Sequence, residues 1–145
     1  MVSQDVAVAV CFILKIDGQD LGTFDSCTGL GCEVVMEQRE EGGNNGYVWQ
    51  LPTRVRYSNV RLSRPVTAAS KDLTRWFAAL EHGTRRSTAT IEARTLEGTL
   101  IAGWGLRDVV PVRWIGPSFD AATPEAAMET VELAHHGFFG AGWGG

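Results

Sequence analysis

The sequence predicts a mainly β domain of the α+β class, with about eight strands and one α-helix arranged as a sandwich or closed barrel. Three observations support this prediction. Apolar residues recur with period two along most of the chain, one segment has the helical period instead, and glycine or proline turns separate the segments. The 145 residues fit a single domain, and a hydrophobic content of 44% is enough to build its core.

The chain is predicted to begin with a β-hairpin. Its first strand has an apolar face whose members alternate with smaller residues: Val8, Val10, Phe12, Leu14 and Ile16. Asp17-Gly18 supplies a turn in which positive φ costs little, and residues 19–26 form the returning strand. A meander of antiparallel strands is therefore expected at this end of the chain.

A third strand is predicted over residues 32–38, with Cys32, Val34 and Met36 facing the core. The next segment has no apolar residue and is rich in residues that tolerate left-handed backbone, so it is predicted to be a loop. This loop consists of Arg39, Glu40, Glu41, Gly42, Gly43, Asn44, Asn45 and Gly46.

Strands are predicted to resume at residues 47–51 and, after Pro52, at residues 54–62. In the second of these runs the apolar residues change parity near Ser58-Asn59. A change of parity moves the apolar side chains to the other face, so we expect a bulge or bend at that point.

One helix is predicted over residues 70–82, because an apolar stripe repeats at i, i+3, i+4 and i+7. Ser70 is the expected N-cap and Gly83 the expected stop. The stripe consists of Leu73, Trp76, Phe77 and Leu80.

Strand patterns return after the helix. One strand is centred on Ile91, a hairpin turn falls at Glu97-Gly98, and residues 100–106 follow as the partner strand. Residues 109–114 form a further strand, in which Pro111 indicates an edge or a bulge. Residues 124–136 fit either a helix opened by a proline or a strand, and the local pattern does not decide between them.

Composition and motifs exclude several function classes. The formal net charge of −4 excludes a dedicated nucleic-acid binder. The longest apolar run, Val6 to Leu14, is shorter than the ~20 residues of a membrane span and lacks the features of a secretory signal, so a soluble, cytosolic product is expected. There is no nucleophile elbow, phosphate-binding loop or paired-carboxylate pattern, and the sequence predicts no enzyme and no cofactor.

The cysteines and histidines are the obvious metal candidates. Cys27 and Cys32 have no second pair at zinc-site spacing, and the adjacent His135 and His136 point to opposite faces of a strand. The sequence therefore predicts no metal site. A thiol or metal enzyme would require Cys27 or Cys32 close to a histidine.

Two sets of residues are candidates for a protein interface. The densest basic cluster is either an exposed strand face or a contact with an acidic neighbour, such as another copy of the chain. Its members are Arg54, Arg56, Arg61 and Arg64. The glycine-rich tail, residues 138–145, carries Phe138, Phe139 and Trp143 on a flexible backbone, either to contact a partner or to fold back on the core of its own chain.

Several segments, read in order, resemble the inner tail-tube proteins of contractile phage tails and of phage-tail-like extracellular contractile injection systems. The resemblance covers about residues 8–137 and is carried by the order and spacing of the segments. They are Phe24–Leu30, Glu33–Gly43, Leu51-Pro52, Tyr57–Arg64, Leu73–Trp76, Trp104, Val110–Trp114 with Gly116-Pro117, and Met128–His135.

The resemblance implies a non-enzymatic structural subunit with an Hcp-like fold. Family members form hexameric rings whose strands join into one β-barrel, and the rings stack into a hollow tube inside a contractile sheath. The implied partners are further copies of the chain, the sheath protein, baseplate, hub and tube-initiator proteins, and cargo in the lumen, with assembly in the bacterial cytoplasm. No sequence-specific nucleic acid and no direct membrane anchor are implied.

For individual segments, the resemblance implies that residues 126–136 form a strand and that the loop of residues 39–46 contacts neighbouring subunits or rings. The sequence departs from the family pattern in two places. Arg64 is followed by Pro65 where glycine is usual, and the tail after Gly137 is not a family feature. Two alternatives stay open: a baseplate-proximal tube initiator of the same family, and a monomeric β-barrel that binds a small ligand.

Overall fold

A computed structural model describes residues 9–40, 48–83, 86–117 and 127–143. Within these ranges the chain forms ten strands and one helix, α1 (Ser70–Ala78), which continues as a 3-10 turn over Ala79–His82. The strands are β1 (Val10–Ile16), β2 (Gln19–Phe24), β3 (Ser26–Thr28), β4 (Cys32–Glu40), β5 (Val48–Tyr57), β6 (Val60–Pro65), β7 (Ser87–Thr95), β8 (Leu100–Ile115), β9 (Met128–Ala134) and β10 (Phe138–Trp143).

Eight strands form one antiparallel sheet that the chain closes on itself. Its order is β2-β1-β7-β8-β9-β6-β3, with β10 paired to β8. The two ends of this order, β2 and β3, are consecutive in sequence and are joined by Asp25, whose N–H donates to the Ser63 carbonyl of β6. One bent segment therefore pairs with β1 on one side and with β6 on the other, which gives a barrel without a long open edge at the seam.

Apolar side chains fill the interior of the barrel. Every strand except β3, β4, β5 and β10 contributes to the buried core, and Leu73 of α1 completes it. The fully or nearly fully buried members are Leu14, Ile16, Leu21, Phe24, Val60, Leu62, Leu73, Ala89, Ile91, Leu106, Val109, Val131 and Leu133. The predicted mainly β fold with one helix is confirmed.

The N-terminal hairpin and the helix are confirmed with one correction. Asp17 and Gly18 have φ values of 49° and 83°, and β1 and β2 pair as predicted. The helical segment ends at Gly83, where φ is 121°. Ser70, however, is the first helical residue and not the N-cap, because Ala69 occupies that position and the Ser70 hydroxyl binds Glu129.

Strand boundaries differ from the sequence prediction in two places. β5 continues through Pro52, and a shift in register between Val35 and Met36 on the facing strand accommodates the proline. The predicted strands 100–106 and 109–114 are one strand, β8, which bends at Asp108, where φ is 54°. The predicted bend at Ser58-Asn59 is confirmed, since β5 ends before it and β6 begins after it.

The C-terminal part resolves one ambiguity and adds a strand. Met128–Ala134 is a strand, so the helical alternative for this segment is wrong. The bulge predicted at Pro111 is confirmed by a shift in register between Pro111 and Arg113. The tail forms β10 over Phe138–Trp143, where the sequence predicted flexible backbone.

Candidate functional site: a projecting β-hairpin

The hairpin made by β4 and β5 extends the β3–β6 ladder of the barrel. Thr28 pairs with Arg61 and, four residues further on, Cys32 pairs with Tyr57 in the same register. Between these pairs the ladder is interrupted at residues 29–31 and 58–59. Gly29 has a φ of 90°, and a Cβ there would collide with the Asn59 carbonyl, so glycine is required where the two strands leave the barrel.

One face of the hairpin, which we call the apolar face, consists of Val34, Met36, Val48 and Val55. Val34 lies opposite Val55, and Val48 lies opposite Glu40, four pairs beyond Met36. These four side chains are 45–50% exposed. The prediction that Cys32, Val34 and Met36 face the core is therefore wrong, because β4 leaves the barrel and the face that alternation selects has no core beneath it.

The opposite face, the charged face, carries Glu33, Glu37, Arg39, Arg54 and Arg56, and the register places Val35, Trp49 and Leu51 among them. Glu33 lies directly opposite Arg56, and the Arg39 guanidinium lies 4.0 Å from the Glu37 carboxylate. The charged groups are exposed, so their mutual attraction is screened by water and contributes little to the stability of the isolated chain. The hairpin therefore has one face of mainly aliphatic side chains without a described cover, and a second face that is mainly charged but includes the half-exposed Trp49.

The predicted contact loop lies only partly within the described residues. Arg39 and Glu40 belong to β4, so the loop begins later than the sequence predicted. The other members lie outside the described residues: Glu41, Gly42, Gly43, Asn44, Asn45 and Gly46. The tip that they form joins the ends of β4 and β5.

The predicted basic cluster is not one surface. Arg54 and Arg56 lie on the hairpin, whereas Arg61 lies on the barrel and donates to Glu132 with a shortest distance of 2.6 Å. Asn59 donates to the other oxygen of the same carboxylate. These hydrogen bonds, first from Arg61 and then from Asn59, hold the pKa of Glu132 below its usual range.

Arg64 is buried, so its predicted role in an interface is wrong. Its Nε donates to Glu129 at 2.8 Å and its Nη1 to the Leu21 carbonyl at 2.7 Å, while the guanidinium lies 4.2 Å from the centre of the Phe24 ring. Both charged groups are essentially inaccessible to solvent. The pair holds β6, β9 and β2 together inside the fold.

Glu129 also connects the helix to this network. Ser70 of α1 and Trp114 of β8 donate to its two carboxylate oxygens. Burial raises the pKa of Glu129, but the hydrogen bonds from Ser70, Arg64 and Trp114 outweigh burial and lower the pKa. The carboxylate is therefore ionised at neutral pH and serves as a structural junction.

The aromatic residues of the tail differ in how they are placed against the barrel. Phe138 is half-buried and packs against the core, whereas Phe139 is 40% exposed and lies over Gly105, where a Cβ would meet its ring. Trp143 pairs with Ala102 in β10. For Phe138, folding back on its own chain is the correct alternative.

Catalytic and metal chemistry gain no support from the geometry. Among the described residues, no group of three His, Cys, Asp or Glu side chains is placed to hold a metal ion. Burial raises the pKa of the Cys27 thiol to about 11, which makes it a poor nucleophile at neutral pH. No described helix is long and apolar enough to cross a membrane.

The filled barrel with a projecting hairpin has the Hcp-like fold. The chain belongs to the family of T4-like virus tail tube proteins, gp19, whose family model matches residues 8–139. It is therefore a structural subunit of a tail tube. No curated protein matches the chain.

Solved structures share this fold. A chain of the sheath–tube complex of an extracellular contractile injection system, PVC, in the extended state has a TM-score of 0.79 and 21% identity over 98% of this chain and 94% of that one. A chain of the anti-feeding prophage baseplate has a TM-score of 0.75 and 23% identity over 96% of both chains. Hcp1 from Salmonella typhimurium has a TM-score of 0.54 and 19% identity over 88% of this chain and 82% of its own.

Proposed function

We propose that this chain forms hexameric rings that stack into the hollow inner tube of a contractile injection particle or contractile phage tail. The assembly is built in the bacterial cytoplasm, surrounded by a contractile sheath and started on a baseplate. Shortening of the sheath drives the tube and the cargo in its lumen into a target. Family membership and the shared fold of tubes solved with sheath and baseplate support this proposal.

The apolar face of the hairpin is the single observation that carries the proposal. Its four aliphatic side chains project from the barrel, and each is about half exposed. An isolated two-stranded hairpin is at best marginally stable in water, so this one requires a surface to cover it. A second copy of the chain is the cover that a self-assembling ring supplies.

The barrel offers a receiving edge for such a neighbour. Residues 110–115 of β8 pair with β9, whereas the described pairing of β8 with β7 stops at Val109. Val112 and Ile115 in this stretch are about half exposed. An open edge with aliphatic side chains is a template for strand addition. The hairpin of another copy also offers a strand edge and exposed aliphatic side chains, so it can add to this edge.

The interface between the hairpin of one copy and the receiving edge of the next is heterologous, that is, head-to-tail. The hairpin is at one place on the chain and the receiving edge at another, so each copy uses both surfaces on different neighbours. A rotation that closes after six copies gives the ring, and the hairpin tip, residues 41–47, is left for contacts between rings. The charged face of the hairpin, which a neighbour does not need to cover, faces water.

The test compares two double variants with matched positions on adjacent ladder rungs. In V34S/V55S the apolar face is disrupted, and we expect loss of rings and tubes in negative-stain images and in light scattering over a concentration series, with the far-UV circular dichroism of the barrel unchanged. In E33S/R56S the opposite face is changed, and we expect assembly as in the wild type.

Equal assembly of both variants would contradict the role of the apolar face. A wild-type chain that stays monomeric alone but forms rings when the baseplate and sheath proteins are added would identify a tube protein that needs its baseplate as a template, and a chain that stays monomeric even then would favour the ligand-binding alternative. The filled interior of the barrel does not favour the ligand-binding alternative.

A further inference from the structure

An aromatic cluster attaches the hairpin to the barrel. Tyr57, the last residue of β5, has its ring centre 5.4 Å from that of His135 and 5.7 Å from that of Phe138. His135 and Phe138 are themselves 5.0 Å apart in an edge-to-face arrangement. Gly137 lies beside this contact, since a Cβ added there would lie 3.5 Å from the Tyr57 ring. The three rings are therefore in mutual contact at the base of the hairpin.

This cluster is the main attachment that the structure describes between the hairpin and the barrel. β4 and β5 pack chiefly against each other, and the ladder that continues into β3 and β6 is interrupted at residues 29–31 and 58–59. With backbone pairing absent at the junction, packing of Tyr57 fixes the direction in which the hairpin projects. A change that weakens the packing of these rings is therefore expected to release the hairpin before it affects the barrel.

Nδ1 of His135 faces the backbone of Gly137. The Gly137 N–H donates to Nδ1 at 3.2 Å, and the Gly137 carbonyl, which accepts the Arg107 N–H at 3.0 Å, lies 3.3 Å from the same nitrogen. When Nδ1 accepts the Gly137 N–H, the ring is neutral and carries its proton on Nε2. Nε2 is buried and has no hydrogen-bond partner among the described residues, so this ring is already incompletely satisfied.

The surroundings of His135 disfavour a positive charge. His135 is 6% exposed, and burial is the main cause that lowers its pKa, with the neighbouring His136 lowering it further and the backbone of Gly137 and Ser58 opposing the shift. The other titratable or charged groups around it are Tyr57 on β5, Arg107 on β8, which donates to the Phe138 carbonyl, and Arg86, which contacts His136. Among the residues that the structure describes, this set contains no carboxylate that would compensate a charge.

We propose that Tyr57, His135 and Phe138 form a pH-sensitive anchor: neutral His135 holds the hairpin in its docking direction, and protonation of His135 releases it. A second proton placed on Nδ1 removes the acceptor of the Gly137 N–H, and the new N–H has to share the Gly137 carbonyl with the Arg107 N–H. The imidazolium must then leave the cluster or remain desolvated. A cleft of about 360 Å³ lined by Val55, Tyr57, His135 and His136 lies beside the ring and gives it a way out.

The direction of the pH dependence follows from the lowered pKa. In the released state His135 has its ordinary pKa of 6.5, which is above its value in the cluster. The anchor therefore has its full strength above that ordinary value and loses it as the pH falls through the lower, anchored value. For every unit between the two values, complete acidification shifts the closed-to-open ratio about tenfold toward release.

The experiment measures amide hydrogen exchange by mass spectrometry on the unassembled chain at pH 7.5 and 5, corrected for the intrinsic effect of pH. In the wild type we expect protection to fall in β4 and β5 at the lower pH and to stay constant in β7. His135→Asn places an amide oxygen near the position of Nδ1 and cannot titrate, so its hairpin protection is expected to be independent of pH. His136→Asn is the matched control on the adjacent, exposed histidine and is expected to behave as the wild type.

Loss of hairpin protection at low pH in His135→Asn, or its absence in the wild type, would overturn the anchor. If the substitution prevents folding, an NMR titration of the wild type decides: the Tyr57 ring resonances must shift with the His135 titration, and independent titration refutes the coupling. The role of the hairpin in docking rests on the proposed function, but this exchange readout does not require assembly. A chain that never forms rings can still show the anchor.

Discussion

In the barrel, one face of each long strand is buried against the others, whereas in the hairpin both faces of β4 and β5 are exposed over most of their length. Both regions are antiparallel ladders with alternating sequences, and the same alternation gives opposite outcomes in them. The barrel strands find their cover within the chain. The hairpin strands carry an apolar face that none of the described residues covers, so apolar burial stabilises the barrel on folding, whereas the hairpin gains it through the association proposed above.

The largest expected difference between the regions concerns buried charge. Glu129→Gln leaves Arg64 buried without its counter-charge and is expected to lower the free energy of unfolding by about 3–5 kcal/mol. Urea denaturation followed by circular dichroism measures this change. Glu132→Gln on the same strand is the matched control, because its carboxylate pairs with Arg61 at the surface, and a much smaller shift of the midpoint is expected.

The Glu129 carboxylate also makes the folding stability of the barrel depend on pH in the acidic range. Because the folded state lowers the pKa of Glu129 below its ordinary 4.5, the stability it confers is complete above that value and is lost as the pH falls through the lower folded-state pKa. The proposed hairpin anchor weakens as the pH falls below 6.5, the ordinary pKa of histidine. Equal effects of the two glutamine substitutions would show that Glu129 is not the junction described here.

Apolar truncations sharpen the comparison next. Leu62→Ala removes a side chain that is fully buried in the barrel and is expected to cost about 2–5 kcal/mol of folding stability. Val34→Ala removes one from the hairpin's apolar face and is expected to change the stability of the unassembled chain by no more than about 0.5 kcal/mol. Denaturation of both variants under non-assembling conditions tests this, and a similar cost for the two would mean that the apolar face is already buried within one chain.

The last comparison concerns the junction of the two regions, where the main effect is expected on assembly. Gly29→Ala places a Cβ against the Asn59 carbonyl at a positive φ, so the hairpin is expected to change direction and assembly to fall, while the barrel stays folded. Gly31→Ala is the matched control, because its added Cβ meets nothing and no positive φ is required there. Light scattering and thermal denaturation of both variants test the prediction, and it fails if assembly is unaffected in Gly29→Ala.

Period-two alternation was sufficient to predict most of the barrel. The faces of β1 and β7, the turns at Asp17-Gly18 and Glu97-Gly98, and the helix over residues 70–82 are all local in origin, and the structure has them. Alternation also predicted an apolar face on β4. Alternation does not reveal which surface covers an apolar face, however. For this reason a face that is exposed in the single chain was predicted to belong to the core.

The buried polar residues could have been found from parity. Arg64 shares its parity with Val60 and Leu62, and Glu129 and His135 share theirs with Val131 and Leu133, so alternation places all three on buried faces. Grouping the arginines by composition overrode this signal. The partner of each buried group was not accessible, because the pairing of β6 with β9 joins residues more than sixty positions apart.

The β3–β6 ladder and the hairpin share one register on the two sides of the interruption between them. The hairpin can therefore be lengthened or exchanged as a unit. Both of its strands leave the barrel side by side, so a longer or shorter ladder does not displace any other strand. Adding an even number of residues to each strand keeps the apolar side chains on the same side, and adding an odd number reverses them. The reach of the hairpin can therefore be varied in two-residue steps, at about 6.8 Å for each pair of residues added to a strand, without redesign of the barrel.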